Sequence, residues 1–148
     1  MTEETLSKGE RTREVIMNAA HEIFLEKGFH AASMRQIAKG AGVALGGIYN
    51  HFESKEDIFS AVILAHHPYK QILPLALSAD GDDVETFVHN TGRALVDELK
   101  NHPDFVKLVF IEIVEFSGKH MAELFQEIYP QVLPLLERFQ SGKVRTIP

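Results

Sequence analysis

SMRQIAKGAGVALGGIYNHF, residues Ser33 to Phe52, reads as two short helices joined by a tight turn. Ser33 suits an N-cap, and Gln36 three residues on completes a capping box. Ile37 and Ala38 give the first short helix an inward face, and Val43 and Ile48 carry that face into the second. The small Ala38 followed by Gly42 is expected to let the two helices approach closely, with Gly42 free to take positive φ in the turn. From Lys27 through Phe52 the chain carries Lys27, Arg35 and Lys39 and no acid. A surface that approaches phosphates needs that absence. Gly40, Gly42 and Gly46 come close to a dinucleotide-binding fingerprint, but that fingerprint requires a preceding strand, and here a helix precedes it.

The surroundings fit one or two small domains of a 148-residue chain that is 45% hydrophobic and 24% charged. There is no cysteine, so neither a disulfide framework nor thiolate chemistry is open to it. The polar, acidic start MTEETLSKGE is not a signal peptide, and no apolar run is long enough to suggest a membrane span. The net charge of −6 argues against a nucleic-acid partner until its distribution is read. Residues 1–55 balance seven basic against seven acidic side chains, whereas residues 56–148 hold eight against fourteen. Local sign at a site outweighs net charge in steering a partner.

Outward from the motif, everything is helical in pattern. A first helix from about Glu10 to Lys27 carries Val15, Ile16, Ala19, Ala20, Ile23 and Phe24 at spacings of three and four, started at Ser7 or Thr12 and stopped by Gly28. Ser54 is a second N-cap, and the helix it opens ends before Pro68. A short piece from Tyr69 to about Leu77 is interrupted by Pro74, and the acidic loop Asp80–Asp83 offers a cap for a helix over Val84 to Lys100. Pro103 opens a helix apolar nearly all round and so expected to be central and buried. A last helix covers roughly Lys119 to Phe139, with distortion at Pro130 and Pro134 and a stop at Ser141-Gly142. Its apolar positions Phe125, Ile128, Val132, Leu135, Leu136 and Phe139 exceed one buried stripe, which favours self-association.

The segments Met34-Arg35-Gln36-Ile37-Ala38, Ala41-Gly42-Val43, Gly46, Ile48-Tyr49, His51-Phe52 and Ser54-Lys55-Glu56 resemble the helix-turn-helix of TetR-type (TetR/AcrR) transcriptional regulators over roughly residues 10 to 65. The resemblance implies an all-α chain: an N-terminal tail over 1–8, a three-helix DNA-binding domain over 9–67 with its motif at 33–52, and a helical ligand-binding and dimerisation bundle over 68–148. It implies a cytoplasmic homodimeric repressor that leaves double-stranded operator DNA when a small apolar effector binds. Such regulators usually add two longer helices that form the dimer. This chain reaches Arg145-Thr146-Ile147-Pro148 where the first of them would begin, so the dimer is expected of a longer parent and poor operator binding of this chain.

The same resemblance assigns phosphate contacts to Ser33, Tyr49, His51 and Lys55, with Arg35 adding charge. Ser33 and Ser54 read equally as plain caps, and Tyr49 as a core residue with its hydroxyl outside. The base-reading positions depart from the family pattern, with Ala44, Leu45 and Gly47 in place of hydrogen-bonding side chains. Asn50 alone offers an amide to a base edge, Ala44 and Leu45 suit a thymine methyl, and Gly46 and Gly47 let backbone approach. For the effector, Glu112 lies on the stripe of Phe105, Leu108, Val109 and Phe116, where a carboxylate needs a partner cation. A salt bridge or a solvent-facing edge is the plain alternative. Phe87, Phe105, Phe110 and Phe116 read as core or as the wall of an effector pocket. His66-His67 is not a metal pair, because helical zinc sites space histidines at i and i+4. No motif for a hydrolase, zinc protease or phosphate loop is present, so the reading is a non-enzyme without cofactor or metal. The alternative is a helical protein-interaction module that keeps the fold and has lost operator binding.

Overall fold

Ser7, Ser33, Ser54 and Asp83 each accept, on a side-chain oxygen, the backbone N–H three residues on, and each opens a helix. The computed structural model describes residues 6–79, 81 and 83–140, and all regular structure among them is helical. In order, the helices are α1 (Lys8–Ala31), α2 (Met34–Ala41), α3 (Leu45–Ile48), α4 (Lys55–His66), α5 (Tyr69–Ser78), α6 (Val84–Leu99), α7 (Pro103–Phe116) and α8 (Met121–Gln140). Tail residues 1–5, Asp80 and Asp82, the Ser141-Gly142 stop and the final residues lie outside the described residues, as do the side chains of Leu135, Leu136 and Phe139. No described helix is long and apolar enough to cross a membrane.

The chain forms two compact units. The first runs to His66 and takes in Lys107–Glu115, and the second begins at His67 and takes in Phe116 onward. In the first unit, α1 starts with a reciprocal Ser7–Glu10 capping box, the first of the two starts that the sequence offers. Gly28 ends the regular part of α1, as the sequence led one to expect. It bends the chain at φ 77, ψ 176, and helical bonding then resumes to Ala31. Ile16, Ala20 and Phe24 of α1 meet Ile37 and Ala38 of α2, Ile48 of α3, Phe52, and Ile58, Phe59, Val62 and Ile63 of α4, all at 3% exposure or less. Phe24, Phe29 and Phe59 form an aromatic triangle with centroids 5.4–5.8 Å apart. Each such side chain contributes roughly 1.5–3 kcal/mol by leaving water. That burial is what holds α3, only one turn long, in place. Its Gly46 and Gly47 each cost about 1 kcal/mol in helix propensity, and only Ile48 anchors it.

The second unit is built from α5, α6 and α8 with the two ends of α7. Its buried side chains include Ala76, Phe87, Phe105, His120 and Leu124. Pro74 does not interrupt α5, and Pro130 and Pro134 lie within α8.

Helix α7 corrects an expectation. It is not buried all round, since Val106, Phe110, Ile113 and Val114 are between 47% and 68% exposed. Its buried stripe is Phe105, Leu108 and Glu112, the spacing of one helical face. An apolar composition says which residues are able to be buried, and the number of neighbouring elements decides how many are.

Candidate nucleic-acid interface

The turn between α2 and α3 is made by Gly42 in the left-handed region at φ 67, ψ 28, with its N–H directed to the Ala38 and Lys39 carbonyls. Val43 N–H then returns to the Ala38 carbonyl at 3.0 Å. A Cβ at Gly42 would meet nothing within 4 Å, so its glycine is needed for conformation and not for closeness. The close approach is at Gly40, where a Cβ would stand 3.4 Å from that of Ala19 on α1. The expected tight pairing of Ala38 with Gly42 is replaced by this contact.

This turn sets the outward face. Ser33, Arg35, Ala44, Leu45, Gly46, Tyr49 and Asn50 are exposed, and Gly47 and His51 are half-buried. Tyr49 keeps 52% of its surface, which removes the reading of it as a core residue. Ser33 is a true cap. Its Oγ accepts the Gln36 N–H at 3.2 Å, and Gln36 Oε1 accepts the Ser33 N–H at 2.9 Å. That geometry leaves an exposed helix N-terminus, which suits an anion. A Cβ at Gly46 or Gly47 would touch nothing within 4 Å. Nothing inside the protein therefore requires glycine there, and the open space lies on the presented face.

Two cations brace this head from within. Arg13 of α1 donates to the His51 carbonyl at 2.8 Å and lies 4.0 Å over the Phe52 ring, tying the end of the motif to the first helix. Sequence reasoning missed Arg13, because its acceptor is a backbone carbonyl 38 residues away. Lys55 is the second. Its ammonium donates to the Phe29 and Ala32 carbonyls at 2.7 Å each and to His30 at 3.5 Å, and it sits 4.3 Å over the Phe29 ring. An ammonium has three donors, and all three are engaged inside the head. Lys55 is here a brace for the corner between α1 and α2. Burial holds its proton affinity below that of an ordinary lysine, and the nearby Glu115 charge opposes that shift.

The effector candidates divide between the units. Glu112 and Phe110 belong to the first, where Glu112 is fully buried and engaged and Phe110 is 68% exposed. Phe87, Phe105 and Phe116 belong to the second, where Phe87 and Phe105 are buried and Phe116 meets the His120 ring at 4.8 Å. His66 and His67 also part company. His66 stacks on His21 at 3.7 Å, and His67 packs edge-on against Phe105 at 4.7 Å.

Residues 16–62 match the model for bacterial regulatory proteins of the tetR family. The HTH-type transcriptional regulator UidR of Escherichia coli K12 is 45% identical over 64 residues, which cover 43% of this chain and 33% of UidR. The HTH-type transcriptional repressor BepR of Brucella suis is 42% identical over 77 residues, covering 51% of this chain and 37% of BepR. The matched stretch thus spans about a third of the length of these relatives. The solved structure of the flavonoid-responsive regulator FrrA is similar with a TM-score of 0.60 at 27% identity, covering 89% of this chain and 69% of FrrA.

Proposed function

We propose, from the match of residues 16–62 to the tetR family of bacterial regulatory proteins, that the chain is a TetR-type DNA-binding transcriptional regulator, a cytoplasmic repressor released from its operator by a small, largely apolar effector. The observation that carries the reading is the exposed face of the head, free of acid from Lys27 to Phe52 and built on a braced three-helix core. On that face Ser33, Arg35, Tyr49 and His51 serve phosphates, which fix position without reading sequence. Asn50 reaches a base edge, Ala44 and Leu45 meet thymine methyls, and Gly46 and Gly47 admit the DNA close to backbone. Two copies would place two heads on half-sites about 34–36 Å apart.

Titration of a labelled random-sequence duplex at rising salt tests the reading. Binding whose logarithm falls linearly with log salt, with a shallow slope on the order of −2 from the few cations present, is the expected result. Absence of binding at low salt would instead favour the interaction-module reading, which the missing donors at Ala44, Leu45 and Gly47 and the engaged Lys55 support.

The effector is proposed for the second unit, with Phe87, Phe105 and Phe116 as its aromatic contacts. BepR is described as a repressor and FrrA as flavonoid-responsive, and both descriptions support a ligand-released repressor here. An effector that weakens DNA binding must itself be weakened by DNA by the same factor. Ligands found by thermal shift that fail this reciprocity are not effectors.

A further inference from the structure

The corner between α1 and α2, residues 28–33, decides where Ser33 and the first turn of α2 stand. Three side chains hold it. Phe29 packs against Phe24 and Phe59, with centroids 5.8 Å from each. Lys55 gathers the Phe29 and Ala32 carbonyls. The third is Glu115 on α7, whose Oε2 lies 2.5 Å from Nε2 of His30. The His30 side chain is 81% exposed and meets only the edge of the Phe29 ring, at 5.9 Å, among the described ring contacts, whereas Glu115 is only 24% exposed. The carboxylate is thus the fixed partner and the imidazole the held one. The Glu115 charge also acts on the Lys55 ammonium. The His30 imidazole and the Lys55 ammonium therefore both answer to one carboxylate on a helix distant in sequence.

We infer that Glu115 is a positioning residue for DNA binding: through His30 it holds the α1–α2 corner, and with it the phosphate-facing end of α2, without itself meeting DNA. This rests on the DNA-binding reading above and deepens it. Phe116, the next residue in the chain, belongs to the second unit and to the proposed effector contacts. Spatial intermediacy alone is not coupling, so the claim needs an energetic test.

The test compares duplex affinities of Glu115→Gln, His30→Gln and the double variant by fluorescence anisotropy, with Tyr49→Phe as a contact control. Charge arithmetic alone makes loss of an acid beside the head strengthen binding to DNA. Positioning gives the opposite sign. Glu115→Gln weakens binding about fivefold or more, and the double variant is no weaker than the worse single one. The salt slope is unchanged because no phosphate contact is lost. In the backbone-amide NMR spectrum of the free protein, Ser33 to Gln36 move in both single variants. Unchanged or tighter binding by Glu115→Gln, or additive losses, overturns the inference while Tyr49→Phe still reports on the head. If the wild type binds no duplex, the DNA-binding reading falls. The amide spectrum then decides alone, and unmoved Ser33 to Gln36 amides overturn the positioning role.

Discussion

Tyr49 and Lys55 stand six positions apart, and family likeness gives them one role, yet the structure gives them two. Tyr49 is half-exposed, whereas the Lys55 ammonium serves carbonyls 23 to 26 residues away in sequence. Tyr49→Phe is therefore expected to weaken duplex binding equally on all sequences and to leave the denaturation midpoint unchanged. Lys55→Met should lower stability by about 1–3 kcal/mol, because the carbonyls lose a charged donor. Chemical denaturation beside anisotropy separates the two, and a stable Lys55→Met with weak binding would return Lys55 to the phosphate set. His67 supplies a pH dependence. Its Nδ1 is buried without a hydrogen-bond partner, and burial lowers its proton affinity below the usual 6.5. Below 6.5 the unfolded chain takes up a proton that the folded one resists, so stability falls with pH from 6.5 down to the lowered value and is flat beneath it. His67→Phe, which keeps the ring against Phe105, should flatten that acid limb in a series of melts. A limb as steep as the wild type's would show that His67 charges freely in the fold. Ser33 was legible in the sequence because its partner Gln36 is three residues away, whereas the duties of Lys55 and Arg13 were not, because their acceptors are distant backbone atoms.

At the scale of the element, α3 is where stability and the proposed function pull apart. Gly46 and Gly47 lie in a helical turn with open space at both Cβ positions, so alanine fits each without strain. Gly46→Ala and Gly47→Ala should each stabilise the fold by up to about 1 kcal/mol. If DNA backbone or base edges approach this face closely, the added methyl should weaken duplex binding at the same time. Melts and anisotropy on the two variants check this, and unchanged binding would remove both glycines from the interface. Gly42 contrasts with them, since its left-handed φ of 67 makes Gly42→Ala costly, about 1–2 kcal/mol, however open the space. The start of α2 and the turn were readable because caps and positive φ leave local residue signatures. The length of α3 was not, because one buried Ile48 against two glycines is a balance struck by tertiary packing. Pattern reading erred on α7 for a related reason: hydrophobic periodicity identifies the stripe of Phe105, Leu108 and Glu112 but cannot count the helices that cover the other faces.

On the molecule as a whole, the sign of charge and the distribution of apolar surface point to different partners. The excess acid lies in residues 56–148, so repulsion from phosphates favours the acid-free stretch from Lys27 to Phe52 as the part proposed to meet DNA. The apolar surplus lies elsewhere. Phe110, Ile113 and Val114 are 59–68% exposed at spacings that share one face of α7, and Phe125 of α8 is 59% exposed. A contiguous apolar face of that kind drives association between copies, by loss of water contact and not by charge. On α8, Ile128 and Val132 are half-buried, whereas Phe125, Tyr129 and Leu133 are exposed one turn apart, so the face of α7 adds to the interface expected on α8. The 16.6 kDa chain is therefore expected to sediment as a larger species with rising concentration, and added salt should not disperse it. Phe110→Ser with Ile113→Ser should return it to the monomer while its own melt stays cooperative. DNA adds a second readout. A monomeric variant should hold a single half-site as the wild type does, and lose only the gain on two properly spaced half-sites, on the order of a hundredfold. A wild-type chain that sediments as a monomer at every concentration, or a double variant that keeps the paired-site gain, would show that this face of α7 does not join the copies.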